Sequence, residues 1–110
     1  MIQCLIEVSL DGDPARGGAP AGEIPALAEA LAAEHGLVLA GVMAIAPLTM
    51  KPADAFARLL ASAAVVRAVR PSAAVISAGM SGDLEAAIAA GATHVRIGTA
   101  LLGDRQARVR

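Results

Sequence analysis

The sequence predicts an α/β protein built on parallel strands, and three observations carry that expectation. Short apolar runs alternate with longer helical patterns along the whole chain. The segments joining them have the length of parallel crossovers. No linker, low-complexity stretch or short repeat interrupts the alternation, so the 110 residues read as one domain. About four βα units make half of a (β/α)8 barrel, a fold of about 250 residues. A small open parallel sheet has the same periodicity, and the pattern alone leaves both open.

Residues 2–10 read as a buried strand, nearly continuous in apolar character. Residues 11–20 carry Gly12, Pro14, Gly17, Gly18 and Pro20 and read as a turn-rich loop. Ile24, Leu27, Ala28 and Leu31 recur at helical spacing across residues 22–35. Pro25 suits the first turn of that helix, and Gly36 suits its stop. Residues 37–46 read as a second strand ended by Pro47. Phe56, Leu59, Leu60 and Ala63 mark a second helix that must end before Pro71. Residues 73–77 read as a third strand. A helix with Leu84, Ala87 and Ile88 on one face follows and closes at Gly91. Residues 94–97 read as a fourth strand, with a short helical turn from Thr99.

Composition narrows the function classes. Hydrophobic residues make up 56% and charged residues 17%, but much of the apolar share is alanine. One Phe and no Trp or Tyr leave a core without the large aromatic contribution to burial, so low stability in isolation is expected. A net charge of −1 with interspersed signs offers no nucleic-acid footprint, and Arg105, Arg108 and Arg110 read as a solvated tail. No apolar stretch runs far enough without Pro, Gly or charge to span a membrane. Met1-Ile2-Gln3-Cys4 lacks the basic start of a signal peptide, so a cytoplasmic location is expected. Cys4 is the only cysteine and is expected to behave as a small buried hydrophobe.

Two features can bind phosphate. In the turn Gly79-Met80-Ser81-Gly82, amides at a helix start and the Ser81 hydroxyl can face an anion. Gly98-Thr99 follows the last strand, where amides again point outward. Barrels recurrently build phosphate sites from their last two βα loops. The same Gly-Met-Ser-Gly turn also serves as a plain connection with Ser81 as N-cap. Asp83 favours the helix start electrostatically and competes with phosphate if it points the same way. His94, Arg96 and Gly98 share one face of the last strand, which aims Arg96 into the mouth of a barrel. A guanidinium there needs a partner, either a ligand or a carboxylate such as Glu7. His94 reads as a satisfied core or rim histidine. Lys51, the only lysine, stands in a loop before a helix and is expected to be exposed. No His/Cys/Asp/Glu cluster has metal-ligand spacing, and no nucleophile elbow appears.

The run Ile76-Ser77-Ala78-Gly79-Met80-Ser81, then Asp83, Ala87-Ile88, Gly91, Thr93 and Val95-Arg96-Ile97-Gly98-Thr99, resembles the closing signature of the YggS-type pyridoxal phosphate (PLP) homeostasis family. The likeness extends through Val8-Ser9-Leu10, Arg16-Gly17 and Gly41-Val42-Met43, and so covers essentially the whole chain. That family is related to the N-terminal barrel of alanine racemase. The resemblance implies that residues 1–110 form one partial domain, the C-terminal half of a (β/α)8 TIM barrel. It implies PLP as cofactor, with Ser81, Gly98 and Thr99 on the phosphate, Arg96 facing the pyridine nitrogen, and Gly79, Met80 and Met43 among the cofactor-binding residues. It further implies a binding and buffering protein rather than an efficient enzyme. The family's Schiff-base lysine belongs to an earlier strand, and Lys51 does not match its motif. Glu7 stands where the family usually has an uncharged amide, and Ala78 where a methionine is common. A homodimer, or a complementing N-terminal half-barrel, is the expected partner. The alternatives are a fragment of a barrel enzyme acting on a phosphorylated substrate, for which Glu7 is the sole candidate acid, and a non-catalytic half-barrel associating through its sheet edges.

Overall fold

The first strand alternates. In β1 (Ile2–Glu7) Ile6 is buried, while Gln3, Leu5 and Glu7 are open. That period of two is the mark of a sheet covered on one face only. The computed structural model describes residues 1–97. A 3-10 turn (Ala21–Glu23) leads into α1 (Ile24–Ala33), followed by β2 (Leu37–Ala44), α2 (Pro52–Val69), β3 (Val75–Ala78) and α3 (Leu84–Ala90). The strands are parallel in the order β1-β2-β3. Sequential order with parallel pairing puts the crossover helices on the same face. Ile6, Leu39 and Val42 pack there against Ile24, Ala28, Phe56, Leu59 and Val66.

The punctuation of α2 is local. Pro52 occupies its first turn, Asp54 complements the helix dipole there, and Pro71 follows the C-cap Arg70. Phe56, Leu59 and Ala63 are buried as their spacing predicts, but Leu60 is 37% exposed. Helix α1 stops at Ala33, short of the predicted end. Gly36, with φ 84, instead turns the chain into β2, and its carbonyl accepts the Ile2 amide at 2.9 Å. Helix α3 is only seven residues long and buries Ala87, and Ile88 is 57% exposed rather than sharing that buried face. Gly91 ends it with φ 105, as predicted.

Strand β1 ends at Glu7, earlier than predicted. The Val8 amide still reaches the Met43 carbonyl (2.8 Å), but Val8 also bridges Ala19 in the returning loop. That loop is pinned by side chains: Asp11 accepts the Asp13 amide, Asp13 accepts the Ala15 amide, and Ser9 accepts the Gly12 amide. Between β1 and β2 the register slips, with Cys4 opposite Leu39 and Leu5 opposite Gly41. Gly41 has φ 154, and a Cβ there would run into the Val75 carbonyl. Cys4 is half-buried rather than buried.

Residues 94–97 were expected to form a strand. They run beside β3, but only as an isolated bridge between Ser77 and His94. The Ala78 amide donates to the His94 carbonyl (3.0 Å) and the Arg96 amide to the Gly79 carbonyl (2.8 Å). The segment is therefore aligned parallel to β3 with fewer links than a full ladder has. The expected helical turn from Thr99, and the tail arginines, lie outside the described residues.

Candidate functional site

The register places one residue from each of four neighbouring segments in a single lateral row. Glu7 pairs with Met43, Met43 with Ser77, and Ser77 bridges His94. These side chains stand on the face the helices leave bare, together with Leu5 and Val75. Arg96 lies two residues past His94, hence on the same face and one step nearer the C-terminal ends of the strands.

Arg96 reaches across β3. Its Nη2 donates to the Ala44 carbonyl, the last residue of β2, at 3.1 Å. The side chain is half-buried, and among the described residues it has no carboxylate partner. The ion pair recorded among those residues joins Arg16 to Asp11 (3.5 Å). Glu7, the alternative partner for Arg96, instead lies against Gly17, where an added Cβ would come within 3.2 Å of its carboxylate. The orientation predicted from strand alternation is thus found, with a backbone carbonyl as anchor.

The turn after β3 holds Gly79 at φ 97, where a Cβ would collide with that of Ala87. This glycine lets α3 close on the sheet. Around Gly82 a Cβ would meet nothing, so the tip of the turn is open. Ser81 is not the N-cap; Asp83 occupies that position. The Asp83 carboxylate reaches back to accept the Met80 amide at 2.7 Å, and its own amide donates to the Met80 carbonyl at 3.2 Å. The competition foreseen between Asp83 and an anion therefore centres on the Met80 N–H. Met80, 46% exposed, lines a crevice of about 390 Å³ with Ile45, Leu48 and Met50 from the β2–α2 loop. Gly98 and Thr99 lie outside the described residues.

Met43 is half-buried in the lateral row, below Arg96. His94 is exposed, and its Nδ1 lies 2.8 Å from the Thr93 hydroxyl. Lys51 is exposed at the N-cap of α2, away from the row. Another crevice, of about 410 Å³, sits elsewhere, between the loop after β1 and α2, where Arg58 donates to the Leu10 carbonyl (2.9 Å). It shares no residue with the Arg96 site. Sequence reasoning missed the Ala44 carbonyl and the hydroxyl of Thr93. A carbonyl carries no sequence signal, whereas a threonine just ahead of a strand is a weak one. Among the described residues no group of three His, Cys, Asp or Glu could hold a metal ion, and no helix is long and apolar enough to cross a membrane.

The three parallel strands with their helices form an alanine-racemase-like α/β fold. The profile of the family "Alanine racemase, N-terminal domain" matches residues 1–106, and the chain belongs to that family. Within it the chain is similar to the pyridoxal phosphate homeostasis protein of Mycobacterium bovis, 44% identical over 110 residues, covering 97% of this chain and 43% of that protein. It is also similar to the structure of PipY from Synechococcus elongatus with PLP bound, with TM-score 0.79 and 31% identity over 92% of this chain and 49% of that one. Alanine racemase from Corynebacterium glutamicum shares the fold at TM-score 0.74 with 19% identity, over 90% of this chain and 28% of its own. The chain thus spans under half the length of the curated relatives it matches.

Proposed function

We propose that this chain supplies the Arg96 and phosphate-turn side of a PLP site in a PLP-homeostasis protein, residues 1–110 forming one partial domain equivalent to the C-terminal half of a (β/α)8 barrel. The observation that carries the reading is the Arg96 guanidinium, half-buried on the bare face and tied by one N–H to Ala44. Its planar fork has further N–H groups to offer a ligand. Because arginine keeps its protons, it can only donate toward a pyridine nitrogen, and so holds that nitrogen unprotonated. PLP supplies an electron-withdrawing ring, and that capacity is weak when the ring nitrogen carries no proton. The arrangement favours holding PLP over turning substrates over, in a soluble, cytoplasmic setting.

The residues fit the ring end well. At the phosphate end, Gly79, Met80 and Ser81 form the described part of the cup, and Gly98 and Thr99 would complete it. Asp83 already engages the Met80 amide, so the anion would be held chiefly by the Ser81 side of the turn and by Gly98-Thr99. Met43 would pack beneath the ring. The PLP bound in the PipY structure and the similarity to the mycobacterial pyridoxal phosphate homeostasis protein support this assignment.

A PLP titration followed by borohydride trapping and intact-mass analysis tests the reading. PLP and inorganic phosphate are both expected to raise thermal stability, with no covalent adduct on Lys51. Stabilisation by neither would overturn the proposal, and a stoichiometric adduct on Lys51 would relocate the site.

A second proposal concerns the partner. Among the described residues no strand lies along the outer edge of β1, where only the Glu7 carbonyl is engaged, by the Ala19 amide at 2.8 Å, and Ile2 is 67% and Leu5 39% exposed. An edge of this kind seeks a strand. Either a second copy or a complementing N-terminal half-barrel would provide it, and would cover the bare face as well.

A further inference from the structure

We propose that Thr93 is a positioning residue for Arg96, an inference that rests on the PLP-site reading above. The segment 93–97 lacks a full ladder, so its alignment depends on few hydrogen bonds. Gly91, left-handed at the end of α3, sends the Ala92 amide back to the Ala87 carbonyl at 3.0 Å. The chain therefore enters the sheet only at Thr93. There the Thr93 hydroxyl accepts the Ile76 amide at 2.8 Å, while the Thr93 amide donates to the Ile76 carbonyl at 2.8 Å. The side chain thus supplies the acceptor that the backbone of a longer strand would have provided.

Thr93 thus engages both the amide and the carbonyl of Ile76, the His94 amide shares that carbonyl at 3.1 Å, and the hydroxyl is the one side-chain group among these register-setting bonds. From that point the His94 carbonyl meets the Ala78 amide, the Arg96 amide meets the Gly79 carbonyl, and the guanidinium comes to Ala44. A slip of one residue would turn Arg96 to the helix side of the sheet. Only the hydroxyl distinguishes Thr93 from an isosteric valine in this role.

The test compares T93V and T93S with the unmodified chain. T93V is expected to weaken PLP binding roughly tenfold, the scale of one lost hydrogen bond plus one orphaned amide. T93S, which keeps the hydroxyl, is expected to restore affinity to within about twofold. In an R96K background, T93V should change affinity by less than about twofold, because residues that act through one another are not additive. The Arg96 Nε–H resonance should move in T93V and stay in place in T93S, with or without PLP. T93A, which cannot overpack, gives the same comparison if T93V does not fold. Unchanged affinity in T93V, or an equal loss in the R96K background, would overturn the inference by making Thr93 irrelevant or merely structural. If the unmodified chain binds no PLP, the site reading fails, and the Arg96 resonance decides this inference alone.

Discussion

The guanidinium of Arg96 is bound to the carbonyl of Ala44, 52 residues earlier, across the intervening strand β3. The bond ties the last described segment to the end of β2 and presents a fixed cation on the face that no helix covers. A charge-assisted hydrogen bond from such a group is worth about 1.5–3 kcal/mol to a ligand. Substituting Arg96→Ala is therefore expected to weaken PLP binding by roughly 10- to 100-fold. Spectroscopic titration reads the affinity, and a thermal melt reports separately the stability lost when the carbonyl of the buried Ala44 gives up its partner. A binding curve identical to that of the unmodified chain would remove Arg96 from the site.

Asp83 sets a second expectation. Its carboxylate holds the Met80 amide at 2.7 Å, within the turn assigned to phosphate. Asparagine keeps an oxygen acceptor for that amide and removes the negative charge. D83N is expected to raise affinity for inorganic phosphate and PLP by roughly fivefold, the effect of relieving about 1 kcal/mol of repulsion near a surface. The gain should shrink as salt rises, because exposed charges are screened. Calorimetric titration at two ionic strengths checks both, and a loss of affinity in D83N would mean that no phosphate approaches this turn.

Much of this was legible because its causes are local. Pro52 and Pro71 bracket α2, Gly91 stops α3, and the alternation of His94 and Arg96 against Val95 and Ile97 gave the direction of the arginine. What escaped depends on distant chain segments. The acceptor for Arg96 is a backbone carbonyl whose place follows from strand order and register, and neither shows in a period of two. Ile88 satisfies helical spacing yet faces solvent, because α3 is too short to lay a second apolar row on the sheet. The last strand is reduced to a bridge because Gly91 delivers the chain late, which composition does not reveal. The assignments of Gly98 and Thr99 rest on the outward amides expected after the last strand and on the resemblance to the family, since both lie outside the described residues.

Gly41 predicts a fold defect independent of any ligand. It sits at the register slip between β1 and β2 with φ 154, and a Cβ would meet the carbonyl of Val75 on β3. Backbone cannot rotate away as a side chain can. G41A is expected to cost about 3 kcal/mol, on the order of 10–20 °C in Tm for a domain of this size. Circular dichroism melts measure it, with Gly82→Ala as the comparison, since a Cβ on Gly82 meets nothing within 4 Å. Equal melting of the two variants would contradict the close β2–β3 approach.

The outer edge of β1 gives the last prediction. Leu5 lies on the uncovered face and is 39% exposed, beside a strand whose outer amides and carbonyls have no neighbouring strand among the described residues. Two copies pairing β1 of one with residues 94–97 of the other, twice over, would close the sheet on itself and bury Leu5 inside. Sedimentation at micromolar concentration is then expected to give twice the chain mass. L5K would place a charge within that closed interior, where an unpaired ammonium is strongly disfavoured, yet it costs the single chain little because the position is already open. The expected result is a monomeric L5K with nearly unchanged helix content. A monomeric unmodified chain would assign the edge to a complementing half-barrel instead, and a dimeric L5K would show that copies associate through some other face.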